Sequence, residues 1–261
     1  MKTVIINSGP RKNWNTAQLL QAALKGAQDA GAETAYYDLY DISYSGCRSC
    51  LACKKKGVAD PCRCYYKDGL SPVIEAVHQA DHLIMGSPIY FGEPTAQLRA
   101  FLERVVYPTL TYNTFSSLFA GKIDVDVFLT MGETEKSYEK NYKERMETYF
   151  WPFSFFKGEV RIHPVCDTAQ VKDYAEYEMT GIPGERKLAR REERSRKSWR
   201  WHMRSESGIA EPHSIGYSPP VRKGHSPTVL SLRRFFRSRS RWNVVTKATN
   251  SMMDMIIGIQ L

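Results

Sequence analysis

The 261-residue sequence predicts an α/β protein built on an open parallel sheet with helices on both faces. Short apolar runs of the buried-strand kind recur through residues 1–165, and helically spaced apolar segments separate them. Charge then marks where the pattern ends. Residues 1–184 hold 20 Lys and Arg against 22 Asp and Glu, whereas residues 185–261 hold 17 against 6. All of the net +9 therefore sits in the last third, and the chain divides near Gly184.

The elements follow in order. KTVIIN (Lys2–Asn7) reads as the first strand, and residues 15–31 as a helix whose Leu19, Leu20, Ala23, Leu24 and Ala27 share one face, with Gly31 as its stop. Residues 33–39 form the second strand. LSPVIEAVHQA is a helix and HLIMGSP the third strand; PTAQLRAFLERVV is a helix opened by Pro94, near the first turn where proline costs least. DVDVFLT is the fourth strand, residues 136–150 a single helix, and EVRIHPV the fifth strand. The expected architecture is a flavodoxin-like open parallel five-stranded sheet, order 2-1-3-4-5. In such sheets ligands lie at the carboxyl ends of the strands where the order reverses, between the loops after strands one and three.

Both loops are unusual. Residues 7–16, NSGPRKNWNT, leave a strand and open a helix, whose first N–H groups attract a phosphate; Ser8, Asn13, Asn15 and Thr16 add short donors and Arg11 a charge. An ordinary capped helix start accounts for the same Asn and Thr residues. Neither G-x-G-x-x-G nor G-x-x-x-x-G-K-[ST] is present, which argues against a dinucleotide fingerprint and a P-loop. After the third strand, Ser87-Pro88 forces an extended exit, and Tyr90, Phe91 and Gly92 follow at the sheet edge. Aromatics at a loop tip are expected to cover something flat, to meet a neighbouring chain, or to pack under the loop.

SGPRKNWNTAQLL and SPIYFGEPTAQLRAFLER together resemble the flavodoxin-like NADPH-dependent FMN reductases, and GCRSCLACK resembles their iron–sulfur flavoprotein branch. The similarity runs over residues 1–179. It implies FMN, with the phosphate on Ser8, Arg11, Asn13, Asn15 and Thr16 and the isoalloxazine ring against Pro88, Ile89, Tyr90, Phe91 and Gly92. A weaker third contact comes from residues 130–132. The family usually reads Gly-Ser-Pro-Arg where this chain reads Ser8-Gly9-Pro10-Arg11, so the role of Ser8 is less secure than that of Asn15 or Thr16.

Five of the six cysteines fall between Cys47 and Cys64. Cys47, Cys50 and Cys53, at C-x2-C-x2-C spacing, can converge on a [4Fe–4S] cluster that a fourth thiolate completes. Chemistry accepts Cys62 or Cys64 as that fourth ligand; the resemblance favours Cys64. A four-cysteine zinc site and unligated thiols are the rival readings, although zinc usually takes two separated pairs. His78, His82 and His163 are assigned to packing or surface, and Cys166 to the core.

No secretory leader or membrane span is visible, which leads to an expectation of a cytoplasmic protein with reduced thiols. Residues 185–261 begin like a charged helix and then lose periodicity. They read as a basic arm for nucleic acid or an anionic surface, a disordered extension, or a frame-altered terminus; the last two are favoured, so nucleic acid is not expected as a partner. The resemblance implies a homodimer or homotetramer that uses NAD(P)H or a protein donor. The competing functions are an FMN-dependent electron-transfer oxidoreductase with a cluster, a cluster-free NAD(P)H-dependent FMN or quinone reductase, and a binding protein acting through its tail.

Overall fold

The computed structural model describes residues 1–192; residues 193–261, most of the basic extension, lie outside the described residues. Five strands form one parallel sheet: β1 (Lys2–Asn7), β2 (Glu33–Asp38), β3 (His82–Tyr90), β4 (Ile123–Thr130) and β5 (Lys157–Val165). Their order is β2-β1-β3-β4-β5, as the sequence predicts. A two-residue strand, Glu93–Pro94, folds back antiparallel on the end of β3.

Alternation along each strand builds two cores. Val4, Ile6, Leu83, Met85, Val125 and Val127 face one side, with helices α2 (Ser71–His78) and α3 (Ala96–Val106) packed over them. Ile5, Ile84, Phe128 and Val165 face the other, under Leu19, Leu20 and Ala23 of α1 (Asn15–Asp29). Fully buried Val and Ile runs of this kind belong to strands covered on both faces.

The segment predicted as one helix over 136–150 is two: α4 (Glu135–Asn141) and α5 (Lys143–Phe150). Tyr142 leaves helical geometry at φ −124°, ψ −29°. Tyr138, Met146 and Phe150 stay in one core across the break, with Tyr142 packed against it. A further 3-10 turn, Trp151–Phe156, adds Phe153 and Phe156 to that core.

Register aligns the strand ends. Asn7 pairs with Asp38 and Gly86, Pro88 with Thr130, and Thr130 with Val165. The loops after all five strands therefore leave from one edge. A helix, α6, begins at residue 184, runs through 192 and is anchored there. Lys187 Nζ donates to the Gly132 carbonyl, and Arg186, Lys187 and Arg190 all pair with Asp167. The first residues of the basic segment thus belong to the packed domain. Among the described residues no helix is long and apolar enough to cross a membrane.

Candidate functional site

The loop after β1 is set by local chemistry. Asn7 Oδ1 accepts from the Gly9 N–H at 2.9 Å, and its Nδ2 donates to Asp38 at 3.1 Å. Helix α1 then starts at Asn15 without a side-chain cap and without an acidic residue in its first turn, so its opening N–H groups keep their positive character. Gly86, at the end of β3, brings this turn close. A Cβ there would lie 2.8 Å from both Thr16 Cγ2 and Leu20 Cδ1.

The turn forms one wall of a cleft at the sheet edge. Gly9, Arg11, Asn15 and Thr16 line the cleft from that turn, Pro88, Ile89 and Tyr90 from the loop after β3, and residues 130–132 from the loop after β4. Thr16 Oγ1 and Thr130 Oγ1 are hydrogen-bonded at 2.8 Å, tying the first wall to the third loop. Six of the predicted residues, Arg11, Asn15, Thr16, Pro88, Ile89 and Tyr90, are therefore brought together.

Four others are not. Ser8 is fully buried beneath the loop and its Oγ donates to the Gly86 carbonyl at 2.7 Å, so its hydroxyl is turned inward. Asn13 is exposed outside the cleft. Phe91 and Gly92, with φ of 51° and 81°, form the two-residue turn between β3 and Glu93–Pro94. A tight hairpin demands left-handed backbone at both positions and aims Phe91 outward, fully exposed.

A fourth wall escaped the sequence reading. Thr168, Ala169 and Gln170, after β5, line the cleft, and the Ala169 carbonyl accepts from Trp14 Nε1 at 3.1 Å and Asn15 Nδ2 at 2.9 Å. Arg11 Nη1 donates to the Gln170 carbonyl. Trp14 lies between the guanidinium groups of Arg11 and Arg191, 4.7 and 4.1 Å from its ring centre. Asp167 holds the loop in place from a buried position at φ 56°. Burial opposes its ionisation, but Lys187 and Arg190 prevail and keep it below the usual carboxylate range.

The cysteine segment is organised by α3. Between residues 39 and 70 regular structure is limited to two single 3-10 turns, so side chains satisfy much of the backbone. Glu103 accepts from the Cys47 N–H at 3.1 Å, and Lys54 Nζ donates to the carbonyls of Tyr107, Pro108 and Leu110. Ser49 and Leu51 adopt φ of 53° and 55°, curling the chain between successive cysteines. Cys47, Cys50, Cys53 and Cys64 border one small cavity with Arg104 and Tyr66; Cys62 does not, and borders with Cys64 a neighbouring groove beside His78 and Phe119. Burial pushes the Cys53 thiol up, partly countered by Lys54. Among the described residues no three His, Cys, Asp or Glu side chains are arranged to hold a single metal ion.

Two buried groups have no counterpart in the sequence reading. Arg104, the bulkiest fully buried side chain, sits behind Cys64 with its Nε 3.0 Å from the sulfur. Under the sheet, Asp126 accepts from His82 at 2.7 Å, His163 at 2.6 Å and Arg161 at 2.9 and 2.7 Å. The two histidines are thus partners of a buried carboxylate. His78 packs as expected between Phe119 and Phe156.

Known proteins resemble this chain in fold and in sequence. A solved NAD(P)H:quinone oxidoreductase from Methanothermobacter marburgensis superposes with a TM-score of 0.55 over 67% of this chain and 88% of its own, at 18% identity, a likeness of fold. An iron–sulfur flavoprotein of Methanocaldococcus jannaschii is 34% identical over 104 residues, which are 40% of this chain and 51% of that protein. One from Methanosarcina thermophila is 32% identical over 106 residues, 41% of this chain and 53% of that protein. The chain thus matches about half the length of these relatives. Residues 1–135 match the NADPH-dependent FMN reductase model, just over half of the sequence, and the chain belongs to that family.

Proposed function

We propose that this protein is an FMN-dependent oxidoreductase that takes electrons from NAD(P)H or a protein donor and passes them on through a [4Fe–4S] cluster. The observation that carries the flavin half is the cleft itself. It joins an uncapped helix start, Arg11 and Asn15 on one side to Pro88, Ile89 and Tyr90 on the other. The first set suits a phosphate monoester and the second a flat ring. The Thr16–Thr130 hydrogen bond fixes the first set to the loop after β4.

Cys47, Cys50, Cys53 and Cys64 border one small cavity, and a cubane cluster takes one thiolate on each of its four irons. Cys64 borders both this cavity and the neighbouring groove while Cys62 borders only the groove, which supports Cys64 as the fourth ligand. Bound together, the two groups supply a two-electron carrier and a one-electron carrier in one chain.

The protein's own part is to position them. Helix α3 does this: Thr95 at its start donates to the Ser8 carbonyl at 3.0 Å, while Arg104 near its end meets Cys64. At 1.5 Å per residue those positions lie roughly 13 Å apart along the axis. The proposal includes a homodimer or homotetramer, for which the outward Phe91 and Trp151 offer apolar surface.

Anaerobic purification tests the reading. The expected product is brown, carries flavin, iron and sulfide in stoichiometric amounts, and keeps its iron in Cys62→Ser but loses it in Cys64→Ser. A yellow, iron-free protein that still oxidises NAD(P)H would instead establish the cluster-free FMN or quinone reductase.

A further inference from the structure

We propose that Arg104 is the positioning residue that designates Cys64 as a cluster ligand and raises the reduction potential of the cluster, an inference that rests on the cluster reading above. Arginine carries five N–H donors in a rigid plane, and here all five are engaged. Nη1 donates to Asp68 Oδ2 at 2.8 Å and to the Ser45 carbonyl at 3.0 Å. Nη2 donates to the Tyr66 carbonyl at 2.8 Å and to Asp68 Oδ1 at 3.3 Å. Only Nε remains, and it points at Cys64 Sγ, 3.0 Å away.

Asp68 is itself fixed, since it accepts from the N–H groups of Ser45 and Leu70 at 3.3 and 3.0 Å. Tyr66 stacks on the guanidinium at 4.8 Å, with Arg48 on the ring at 4.5 Å. The fork is therefore held from several directions before the sulfur is considered. A buried N–H aimed at one sulfur favours negative charge on that sulfur, and a metal-bound thiolate carries it. No donor to Cys62 Sγ is present among the described contacts, so the bracket distinguishes two cysteines that stand only two residues apart. A hydrogen bond and a nearby positive charge on a ligand sulfur both withdraw electron density, which favours the reduced cluster.

The test is an EPR-monitored redox titration of the full chain, purified anaerobically, as wild type, Arg104→Gln and Asp68→Asn. Iron and sulfide content is measured first. Wild-type protein without them overturns the cluster reading and this inference together. With the cluster present, Arg104→Gln is expected to lower the reduced-to-oxidised ratio at the wild-type midpoint about tenfold, which is ~59 mV for a one-electron couple. Asp68→Asn keeps the donor and removes the opposing charge, so its ratio moves the other way. General damage to the loop would not produce opposite signs. If Arg104→Gln fails to retain a cluster, Asp68→Asn decides: a raised potential supports the proposal, and an unchanged or lowered one overturns it. Unchanged potentials in both variants, with full iron content, overturn this inference alone.

Discussion

Asn15 and Asn13 are two residues apart and were indistinguishable as phosphate donors in the sequence, yet only Asn15 enters the cleft. Helix geometry separates them, because Asn15 opens α1 while Asn13 lies on the exposed turn before it. Asn15→Ala is expected to weaken FMN binding about tenfold, roughly 1.4 kcal/mol, and Asn13→Ala to leave it unchanged. Flavin fluorescence titration of both variants checks this. Asp126 offers a second test at this scale. Burial raises the cost of its charge, but Arg161, His163 and His82 outweigh that cost and hold its carboxyl far below the usual range. Its contribution is complete above the unfolded value of about 3.9 and is lost as pH falls from there towards the folded-state value. Asp126→Asn leaves the Arg161 charge without its main buried partner and is expected to cost about 3 kcal/mol near neutral pH. Chemical denaturation across pH should show that gap closing on acidification.

At the scale of elements, one close approach and one ion cluster hold the frame. Gly158, the second residue of β5, lies where β5 carries one residue more than β4 between the Ile123 and Val125 pairings, and a Cβ there would run into the Ile123 carbonyl oxygen. Gly158→Ala is expected to destabilise by about 1–3 kcal/mol, read as a lower Tm with the cleft unchanged. Helix α6 depends on Asp167 instead. Asn accepts the same left-handed backbone, so Asp167→Asn removes the charge and keeps the shape. Buried Lys187 would then lack its counter-ion, and the loop carrying Ala169 and Gln170 would loosen. The expected result is about 3 kcal/mol of lost stability together with faster hydrogen exchange at residues 166–170.

Across the whole molecule, strand order and the two main walls of the cleft were legible because they follow from apolar runs and turn residues close in sequence. The remainder depends on contacts between distant segments. Trp14 and Ala169 meet across 155 positions, and Cys64 and Arg104 across 40. Arg104 lies in FLERVV, where an arginine beside Glu103 resembles an ordinary solvated helix position. The bend at Tyr142 was hidden for a related reason. Its flanks both have helical composition, and Tyr138, Tyr142, Met146 and Phe150 keep a four-residue rhythm straight through it. Charge also placed the division at Gly184 without revealing that α6 spends its cations on Asp167. The candidate flavin cleft and the start of the last helix meet at the edge where β1, β3, β4 and β5 end, and the account stands on what that edge binds. Titration of the full chain with FMN is the direct measurement. Saturation at one FMN per chain, weakened about tenfold by Asn15→Ala, is the predicted result. A flat titration, or saturable binding that Asn15→Ala and Thr16→Val leave untouched, would contradict it.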